Sequence, residues 1–406
     1  MVSVHSISVR AADTAEALRA LEREAASLGI SPDFLCVFYD ETHDDELIHA
    51  FLAARFPGVP VLGGTSCGGV MSEKGVGGDG SIGLFVIEDR EGEFGVGVAE
   101  LGDDAAGAAE RALHQALERA GCPGELPELI WIYQAPGREE QVIAGLCRVV
   151  GERCPIIGGS AADNQIAGSA RRWRQMAPDG PMHDGVVVGV LFPSGGVSVA
   201  FQGGCEPAGP HGVVTKVANV GGVPAQGSGR AILAIDGQPA ADVYNRWLGG
   251  RIGHCQAGDN ITNETVMFPL GIDVGKIGGV AQYLVVSPQK ILDNGAFSTF
   301  ANLAEGTRVF SMRGDRTRLV ERAGKVASAA VAALPDGPAS FAGGLVVYCA
   351  GCRMAVGDEM GRVSAAIRDS FGGMPFVGCF TFGEQGRILG RNVHGNQMIS
   401  AIAFGR

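Results

Sequence analysis

The sequence contains no apolar run of the roughly 18 residues that a membrane-spanning helix needs. It also has little basic character, since 44 acidic residues outnumber 32 basic ones and the formal net charge is −12; the short basic segment Arg171–Arg174 is interpreted as a solvated loop. Nucleic-acid binding depends on clustered basic side chains. The first ten residues alternate polar and apolar side chains and lack a basic start followed by an apolar block. We therefore expect no secretory signal, and neither a membrane nor a nucleic acid among the partners.

The ten cysteines show no disulfide framework, because they are scattered over 406 residues. Without a secretory signal, scattered cysteines indicate reduced thiols and a cytoplasmic protein. Glycine, by contrast, is abundant at 64 residues but has no Gly-X-Y period. Glycine in this pattern is typical of tight turns and close backbone approaches.

A five-residue signature occurs three times, at Pro60–Gly64, Pro155–Gly159 and Pro375–Cys379. Each copy follows an apolar strand and an amphipathic helix, and another apolar strand comes after it. A further strand and a longer helix precede these elements; in the third copy this leading strand is predicted at Arg308–Met312. The repeat predicts a mixed α/β fold of layered β-sheets covered by helices. It would be built from three pseudo-repeated β-α-β-α-β-β units plus a middle insert.

The arrangement of the copies predicts two domains. The first two copies are contiguous, whereas a segment with short strands of a different pattern separates them from the third. We place the boundary near Pro193–Gly196. The first domain is then residues 1–195, with two units, and the second is residues 196–406, with the middle segment and the third unit.

The loops that follow the three signatures carry small polar side chains at strand ends. Ligands of α/β folds bind at such strand ends, and glycine-lined backbone there can hold a small anion. The alternative is that these loops only turn tight corners. The candidate ligand-binding residues from the loops are Thr65, Ser66, Cys67, Gly68, Gly159, Ser160, Asp163, Asn164, Thr381, Gly383 and Glu384.

The segment Cys349-Ala-Gly-Cys352-Arg353 places two thiols three residues apart at the end of a strand. The spacing suits a redox dithiol, because a thiol before a helix can have a lowered pKa; two semi-buried reduced thiols are the alternative. Arg353 could bind a ligand carboxylate through two nitrogens, or it could pair with Glu384 instead. We add Cys352 and Arg353 to the candidate ligand-binding residues.

No complete catalytic motif occurs in the sequence: there is no Gly-x-Ser-x-Gly elbow, P-loop or His-Glu-x-x-His. The eight histidines form no ligand cluster, so no metal site is assigned. We expect a protein that is not an enzyme and has no catalytic residues. A thiol-dependent enzyme using Cys67 or Cys352 is the alternative, although no partner base is assignable.

The ordered set of motifs resembles the FIST family. The first half resembles the FIST N domain and the second half the FIST C domain, on the motifs Gly63–Gly68, Gly158–Asp163, Asp236–Ala240, Phe268–Gly271, Cys349–Arg353 and Gly378–Glu384. The resemblance implies a sensory protein of bacterial signal transduction that binds a small ligand such as an amino acid or a similar small carboxylate. It also implies a separate signalling partner, such as a histidine kinase or a cyclase or phosphodiesterase.

A subgroup of this family, called NosP, is similar in domain content and binds haem to sense nitric oxide. Under this alternative, His183, His394 or His254 would supply the axial ligand. Apart from haem, we expect no cofactor.

Overall fold

The computed structural model describes residues 1–165, 171–219 and 228–406. The three predicted units form three β-sheets around a shared core, with helices on their outer faces. This confirms the mixed α/β class and the three units with a middle insert. Within the described residues, no helix is both long and apolar enough to cross a membrane.

Units 1 and 2 have the same order of elements. Unit 1 comprises β1 (Ser3–Arg10), α1 (Thr14–Leu28), β2 (Phe34–Tyr39), α2 (Asp45–Arg55), β3 (Val61–Thr65), β4 (Val70–Ser72), β5 (Gly75–Val76) and β6 (Ser81–Glu88). Unit 2 comprises β7 (Glu93–Glu100), α3 (Ala105–Arg119), β8 (Leu129–Gln134), α4 (Glu139–Val150), β9 (Ile156–Ser160), β10 (Gln175–Ala177), β11 (Gly180–Met182) and β12 (Gly185–Phe192).

Unit 3 begins with one strand and continues only after the insert. That strand is β13 (Val197–Gly203). The insert comprises β14 (Glu206–Ala218), β15 (Ser228–Ile235), β16 (Gln238–Pro239), α5 (Ala240–Trp247), α6 (Thr262–Thr265), β17 (Leu270–Ile277), β18 (Val280–Val286), β19 (Pro288–Ile291), β20 (Phe297–Ala304) and β21 (Arg308–Arg313). Unit 3 resumes with α7 (Arg316–Ala332), β22 (Phe341–Cys349), α8 (Ala350–Val356), α9 (Met360–Ser370), β23 (Phe376–Thr381), β24 (Glu384–Ile388), β25 (Arg391–Gly395) and β26 (Met398–Gly405).

The predicted leading strand of unit 3 is wrong. The predicted segment Arg308–Met312 lies in β21, which pairs with β14 and β17 inside the insert. The leading strand is β13, which pairs with β26 from Val197↔Phe404 to Gly203↔Met398. Both strands are short and apolar, so only their long-range pairing distinguishes them. The insert therefore interrupts unit 3 between its first strand and its first helix.

The first helix of each unit begins at an aspartate. Oδ1 of Asp13, Asp104 and Asp315 accepts the backbone N–H of the residue three positions further on, at 3.0, 2.9 and 2.8 Å. Each bond satisfies a donor that the first turn of a helix leaves free. The same cap therefore recurs in every unit.

A hairpin of each unit completes the sheet of another unit. The sheet β1-β6-β2-β3 of unit 1 is extended by β10-β11 of unit 2, and β7-β12-β8-β9 of unit 2 is extended by β25-β24 of unit 3. The sheet β13-β26-β22-β23 of unit 3 is extended by β4-β5 of unit 1. The exchange is cyclic. The loops after β3, β9 and β23 consequently meet at one centre.

The inner faces of the three sheets share one apolar core. Phe38 and Phe85 of unit 1, Trp131 of unit 2, and Leu345 and Phe404 of unit 3 all belong to it and are buried. Burying a large apolar side chain contributes about 1.5–3 kcal/mol. Separate apolar clusters join each sheet to its own helices. This packing fixes the positions of the three strand ends.

The insert forms a nearly closed, barrel-like sheet. Its strand order is β18-β17-β21-β14-β15-β20-β19, and β16 pairs with β15. Val214, Tyr244 and Phe297 contribute to a core of its own. The insert contacts unit 2 through residues of β15 and β20, and it contacts unit 3 through α6 and β19.

Candidate functional site

The three signature loops close a ring of backbone hydrogen bonds. At equivalent positions, an N–H of each loop donates to a carbonyl of another at 3.1 Å: Ala162 to Thr65, Phe382 to Ser160, and Cys67 to Phe380. The N–H of Ser160 also donates to the carbonyl of Gly383 at 2.9 Å. The structure thus brings the predicted loops together. Because these amides bond to one another, they are not available to an anion, and the ring is a structural hub.

The loop of unit 1 is tied to both other units at Gly68. Its N–H donates to Asn164 Oδ1 at 2.5 Å, and Asn164 Nδ2 donates to Asp40 Oδ2 at 2.9 Å. Arg353 Nη2 donates to the carbonyl of Gly68 at 3.1 Å, and its guanidinium lies 5.3 Å from the centre of the Phe380 ring. Gly68 has a φ of 65°, which favours glycine, and a Cβ there would displace the Arg353 guanidinium, 2.1 Å away at Nη2. Arg353 therefore joins unit 3 to unit 1.

Other predicted loop residues also have internal partners. Ser66 Oγ donates to the carbonyl of Gly69 at 2.5 Å and accepts the N–H of Phe380 at 2.8 Å. Asp163 accepts the N–H groups of Gln165 and Arg172, at 3.0 and 2.9 Å. Thr65 Oγ1 accepts the N–H of Arg174 at 2.9 Å.

Two further loop residues are packed into the hub. Burial raises the pKa of Cys67 to about 12, which leaves its thiol protonated at neutral pH. A Cβ on Gly159 would lie 2.3 Å from the Thr381 side chain, which requires glycine at this position.

An ion-pair network, the acidic cluster, lies at the end of β9. Arg230 Nη2 lies 2.7 Å from Oε2 of both Glu139 and Glu140, and His394 Nδ1 lies 2.9 Å from Glu140 Oε1. Ser160 Oγ donates to Glu139 Oε1 at 2.7 Å. Burial alone would raise the pKa values of both glutamates, but Arg230 and His394 together lower them below the usual range. The network is a set of charges that compensate one another.

The side chains of the acidic cluster also have metal-ligand chemistry. Ligand atoms of Glu139, Glu140 and His394 lie within 4.8 Å of one another. However, the Arg230 guanidinium already supplies the positive charge that a metal would bring. The cluster therefore does not require a metal to satisfy its carboxylates.

The three histidines considered as haem ligands contact other protein groups. His394 Nε2 is buried without a hydrogen-bond partner in the described part of the chain, but it lies 2.5 Å from the Cβ position of Gly383. His183 Nε2 bonds to the carbonyl of Arg171 at 2.8 Å, and His254 Nε2 lies 3.6 Å from the Cys255 sulfur. The Nε2 atoms of His183 and His394 are thus bonded to a carbonyl or packed against Gly383, so these two residues present no free ligand atom to haem in this conformation.

A cavity separates the end of β23 from the insert, and we call it the insert cavity. Its empty volume is about 420 Å³, of which about 30 Å³ admits the centre of a water molecule. The lining residues come from both sides: Thr262, Thr265, Val266, Ser287, Pro288 and Phe300 from the insert, and Cys349, Gly351, Thr381, Phe382, Asn396 and Gln397 from unit 3. Among the described residues, Thr262 Oγ1 and Asn396 Nδ2 are buried without a partner. Such groups identify the insert cavity as the candidate binding site.

Two titratable residues lie on the unit 3 side of the insert cavity. Glu384 is completely buried; it accepts Thr381 Oγ1 and the N–H of Met398, each at 3.0 Å. Burial raises the pKa of Glu384 well above its usual range. A hydrogen bond from the Cys352 thiol is the main reason that the pKa of Cys349 falls to about 7.

The predicted residues thus fall into separate groups. Thr381 lines the insert cavity, and Glu384 and Cys352 lie directly behind its wall. Arg353, Gly68 and Asn164 meet elsewhere, and within the described residues no bond joins Arg353 to Glu384. Sequence reasoning missed Asn396 and the residues of the insert. One signal was present, because Asn396-Gln397 puts two amides between the apolar strands β25 and β26.

Comparisons with known proteins agree with the motifs. The model of the FIST N domain matches residues 33–238, and that of the FIST C domain matches residues 240–387. No curated protein matches the chain.

Solved structures show only distant likeness. A cyanuric acid hydrolase from A. caulinodans aligns over 100% of both chains, with 10% identity and a TM-score of 0.37. PurLQS from Thermotoga maritima has 9% identity and a TM-score of 0.21, over 78% of this chain and 73% of its own. T. maritima PurL complexed with ATP has 8% identity and the same TM-score, over 77% and 72%. These values carry no conclusion about function.

Proposed function

Because the chain belongs to the FIST family, whose domains are sensory modules that bind small ligands in signal transduction, we propose that it is a cytoplasmic sensor that binds an amino acid or a similar small carboxylate in the insert cavity. The observation that carries this proposal is the pair of unpartnered polar groups, Thr262 Oγ1 and Asn396 Nδ2.

These two groups suit a carboxylate. Asn396 Oδ1 already accepts the N–H of Ser287 at 3.0 Å, which orients the amide and leaves its Nδ2 as a donor. The Thr262 hydroxyl can donate as well. A buried polar group without a partner costs about 1–3 kcal/mol, which a bound carboxylate oxygen would recover. Phe300, Phe382 and Val266 supply apolar walls for the remainder of a small ligand.

The size of the insert cavity implies that binding moves the insert. The 30 Å³ that admits the centre of a water molecule suffices for about one or two waters and is too small for an amino acid. Entry of a ligand requires the four-residue helix α6 to move away from β23. This displacement is the change that a separate partner, such as a histidine kinase or a cyclase or phosphodiesterase, would detect.

We also propose that the chain has no catalytic activity of its own. Burial keeps the Cys67 thiol protonated. The carboxylates of the acidic cluster are paired with Arg230 and His394, so neither is free to act as a general base.

Thermal unfolding with a panel of the L-amino acids and short mono- and dicarboxylates, each at millimolar concentration, tests the binding proposal. A ligand that binds the folded state raises the Tm. For the compound that does so, Thr262→Val should lower affinity about tenfold, equivalent to about 1.4 kcal/mol. The Tm of the unliganded variant should stay the same or rise, because the lost hydroxyl has no partner.

Thr299→Val is the matched control. Thr299 is equally buried, but its hydroxyl donates to the carbonyls of Arg230 and Ala301 at 3.1 and 2.8 Å and does not line the insert cavity. This control should lower the Tm and leave affinity unchanged. A panel in which no compound raises the Tm, or a Thr262→Val variant with unchanged affinity, would contradict the proposal.

A further inference from the structure

The two thiols of the Cys-x-x-C segment differ in their access to the insert cavity. Cys349 ends β22, lines the cavity and is 6% exposed. Cys352 lies one helical turn further on and is completely buried. The pair therefore has one sulfur that a small molecule can reach and a second sulfur behind it.

The surroundings of Cys349 lower the pKa of its thiol. The Cys352 thiol makes the largest contribution, and the backbone N–H groups of Cys352, Gln397 and Gly351 add to it. Such donors stabilise a thiolate, which is the reactive form of cysteine.

The remaining thiols of the chain provide the contrast. The pKa of Cys349 falls to about 7, whereas those of the other nine cysteines are raised, mostly by burial. Cys205, which lies on the same side of unit 3, has its pKa raised to about 12. Cys349 is thus distinguished by both its donors and its position on a cavity.

We propose that Cys349 and Cys352 form a peroxide-reactive dithiol, which hydrogen peroxide oxidises to a disulfide through the insert cavity. The cavity admits a molecule of this size and excludes larger oxidants such as glutathione disulfide. This proposal is independent of amino-acid binding, because it needs only access for a molecule close to water in size.

The chemistry balances in two steps. The Cys349 thiolate attacks one oxygen of the peroxide and the O–O bond breaks. The departing hydroxide takes a proton from solvent and leaves as water. Cys349 is then a sulfenic acid. The Cys352 sulfur attacks the Cys349 sulfur, and the displaced hydroxide leaves as a second water with the Cys352 thiol proton. The pair loses two electrons to the peroxide.

Thiol titration of the full chain tests this proposal. The reduced protein has ten thiols. After one equivalent of hydrogen peroxide and unfolding in denaturant, eight should remain. The tryptic peptide Val326–Arg353, whose only cysteines are Cys349 and Cys352, should be lighter by two hydrogen atoms. This mass measurement needs no variant, so it remains informative if a substitution fails to fold.

Three variants sharpen the result. Cys352→Ser should leave a sulfenic acid on Cys349 that dimedone traps, and Cys349→Ser should keep all of its thiols. Cys67→Ser, the matched control, should still lose two. A wild-type protein that keeps ten thiols, a disulfide that joins Cys349 to Cys205, or loss of two thiols in Cys349→Ser would each overturn the proposal.

Discussion

The ends of β9 and β23 occupy equivalent places in two repeats, yet the polar groups at the two ends have different surroundings. At the end of β9, Glu139 and Glu140 are paired with Arg230 and His394. At the end of β23, Thr381 and Glu384 lie beside a cavity in which two polar groups have no partner among the described residues. The polar groups at the end of β9 are thus neutralised by ion pairs, whereas those at the end of β23 border a cavity.

The insert accounts for this difference, because it lies against both strand ends. Arg230 of β15 and the N–H of Asn302 in β20 bind the acidic cluster, whereas α6 only faces the insert cavity. The insert is thus anchored on the unit 2 side by charged groups. On the unit 3 side it is held by the N–H of Ser287, which donates to Asn396 Oδ1, and by Val285, which packs against Phe201 and Met398. The insert cavity lies beside these contacts, between α6 and β23.

Removing the anchor should have the largest effect. Arg230→Ala removes the counter-ion of the buried Glu139 and of the partly exposed Glu140, so we expect a loss of about 3–5 kcal/mol in the free energy of unfolding, measured with urea. Arg148→Ala, which breaks an exposed pair with Glu110, should cost less than about 1 kcal/mol.

The pH dependence checks the cause of the Arg230→Ala effect. The pKa values of Glu139 and Glu140 are lowered in the folded state, so the stability that they contribute is present above the unfolded value of about 4.3 and is lost as the pH falls through the folded values. The deficit of Arg230→Ala should therefore shrink in acid. A deficit that does not change with pH would contradict this explanation.

The second prediction compares the cost of substituting equivalent signature glycines in units 2 and 3. A Cβ on Gly158 in unit 2 would lie 2.0 Å from the carbonyl oxygen of Ile132, which is backbone and cannot yield. On Gly378 in unit 3, the nearest atom is Met71 Cε, at 2.6 Å on a flexible side chain. We expect Gly158→Ala to cost about 3 kcal/mol or more and Gly378→Ala less than about 1.5 kcal/mol in chemical unfolding. Equal costs would show that the two strands are packed alike.

The raised pKa of Glu384 gives the third prediction. Because its pKa is raised in the folded state, the stability that it contributes is complete below about pH 4.3 and is lost as the pH rises toward the folded pKa. Relative to Glu384→Gln, wild type should therefore lose stability as the pH rises above about 4.3, by at most about 1.4 kcal/mol per pH unit. Parallel pH profiles for the two proteins would mean that Glu384 is ionised in the folded state.

Arg353 should have the smallest effect, and only on stability. It bonds to Gly68 and stacks on Phe380 but does not line the insert cavity. Arg353→Ala should cost about 1–2 kcal/mol in unfolding free energy and leave ligand affinity unchanged. If calorimetry instead showed a large loss of affinity with stability unchanged, the binding site would lie at the contact between units 1 and 3.

Local patterns in the sequence were enough to predict the elements of the repeat. The apolar strand expected before each signature corresponds to β2, β8 and β22, because an apolar run depends only on residues that are close in the chain. The leading strand of unit 3 could not be predicted in this way. Its partner β26 lies about 200 residues away, and β21 has the same local character.

The candidate site was predicted only in part, for the same reason. Thr381 and the two cysteines stand at a strand end that the motif marks. Thr262 lies in a four-residue helix with no distinctive pattern, and its neighbours across the cavity come from another part of the chain. Sequence spacing also placed Arg353 next to Glu384, whereas its side chain extends towards unit 1.

The cyclic exchange of hairpins also determines when each sheet can form during synthesis on the ribosome. The sheet of unit 2 is incomplete until β24 and β25 have emerged, and β13 cannot pair until β26 has been synthesised. Such distant pairings slow folding and leave strand edges exposed meanwhile. Nascent chains should consequently depend on chaperones until the last strand is released, and the first half expressed alone should tend to aggregate.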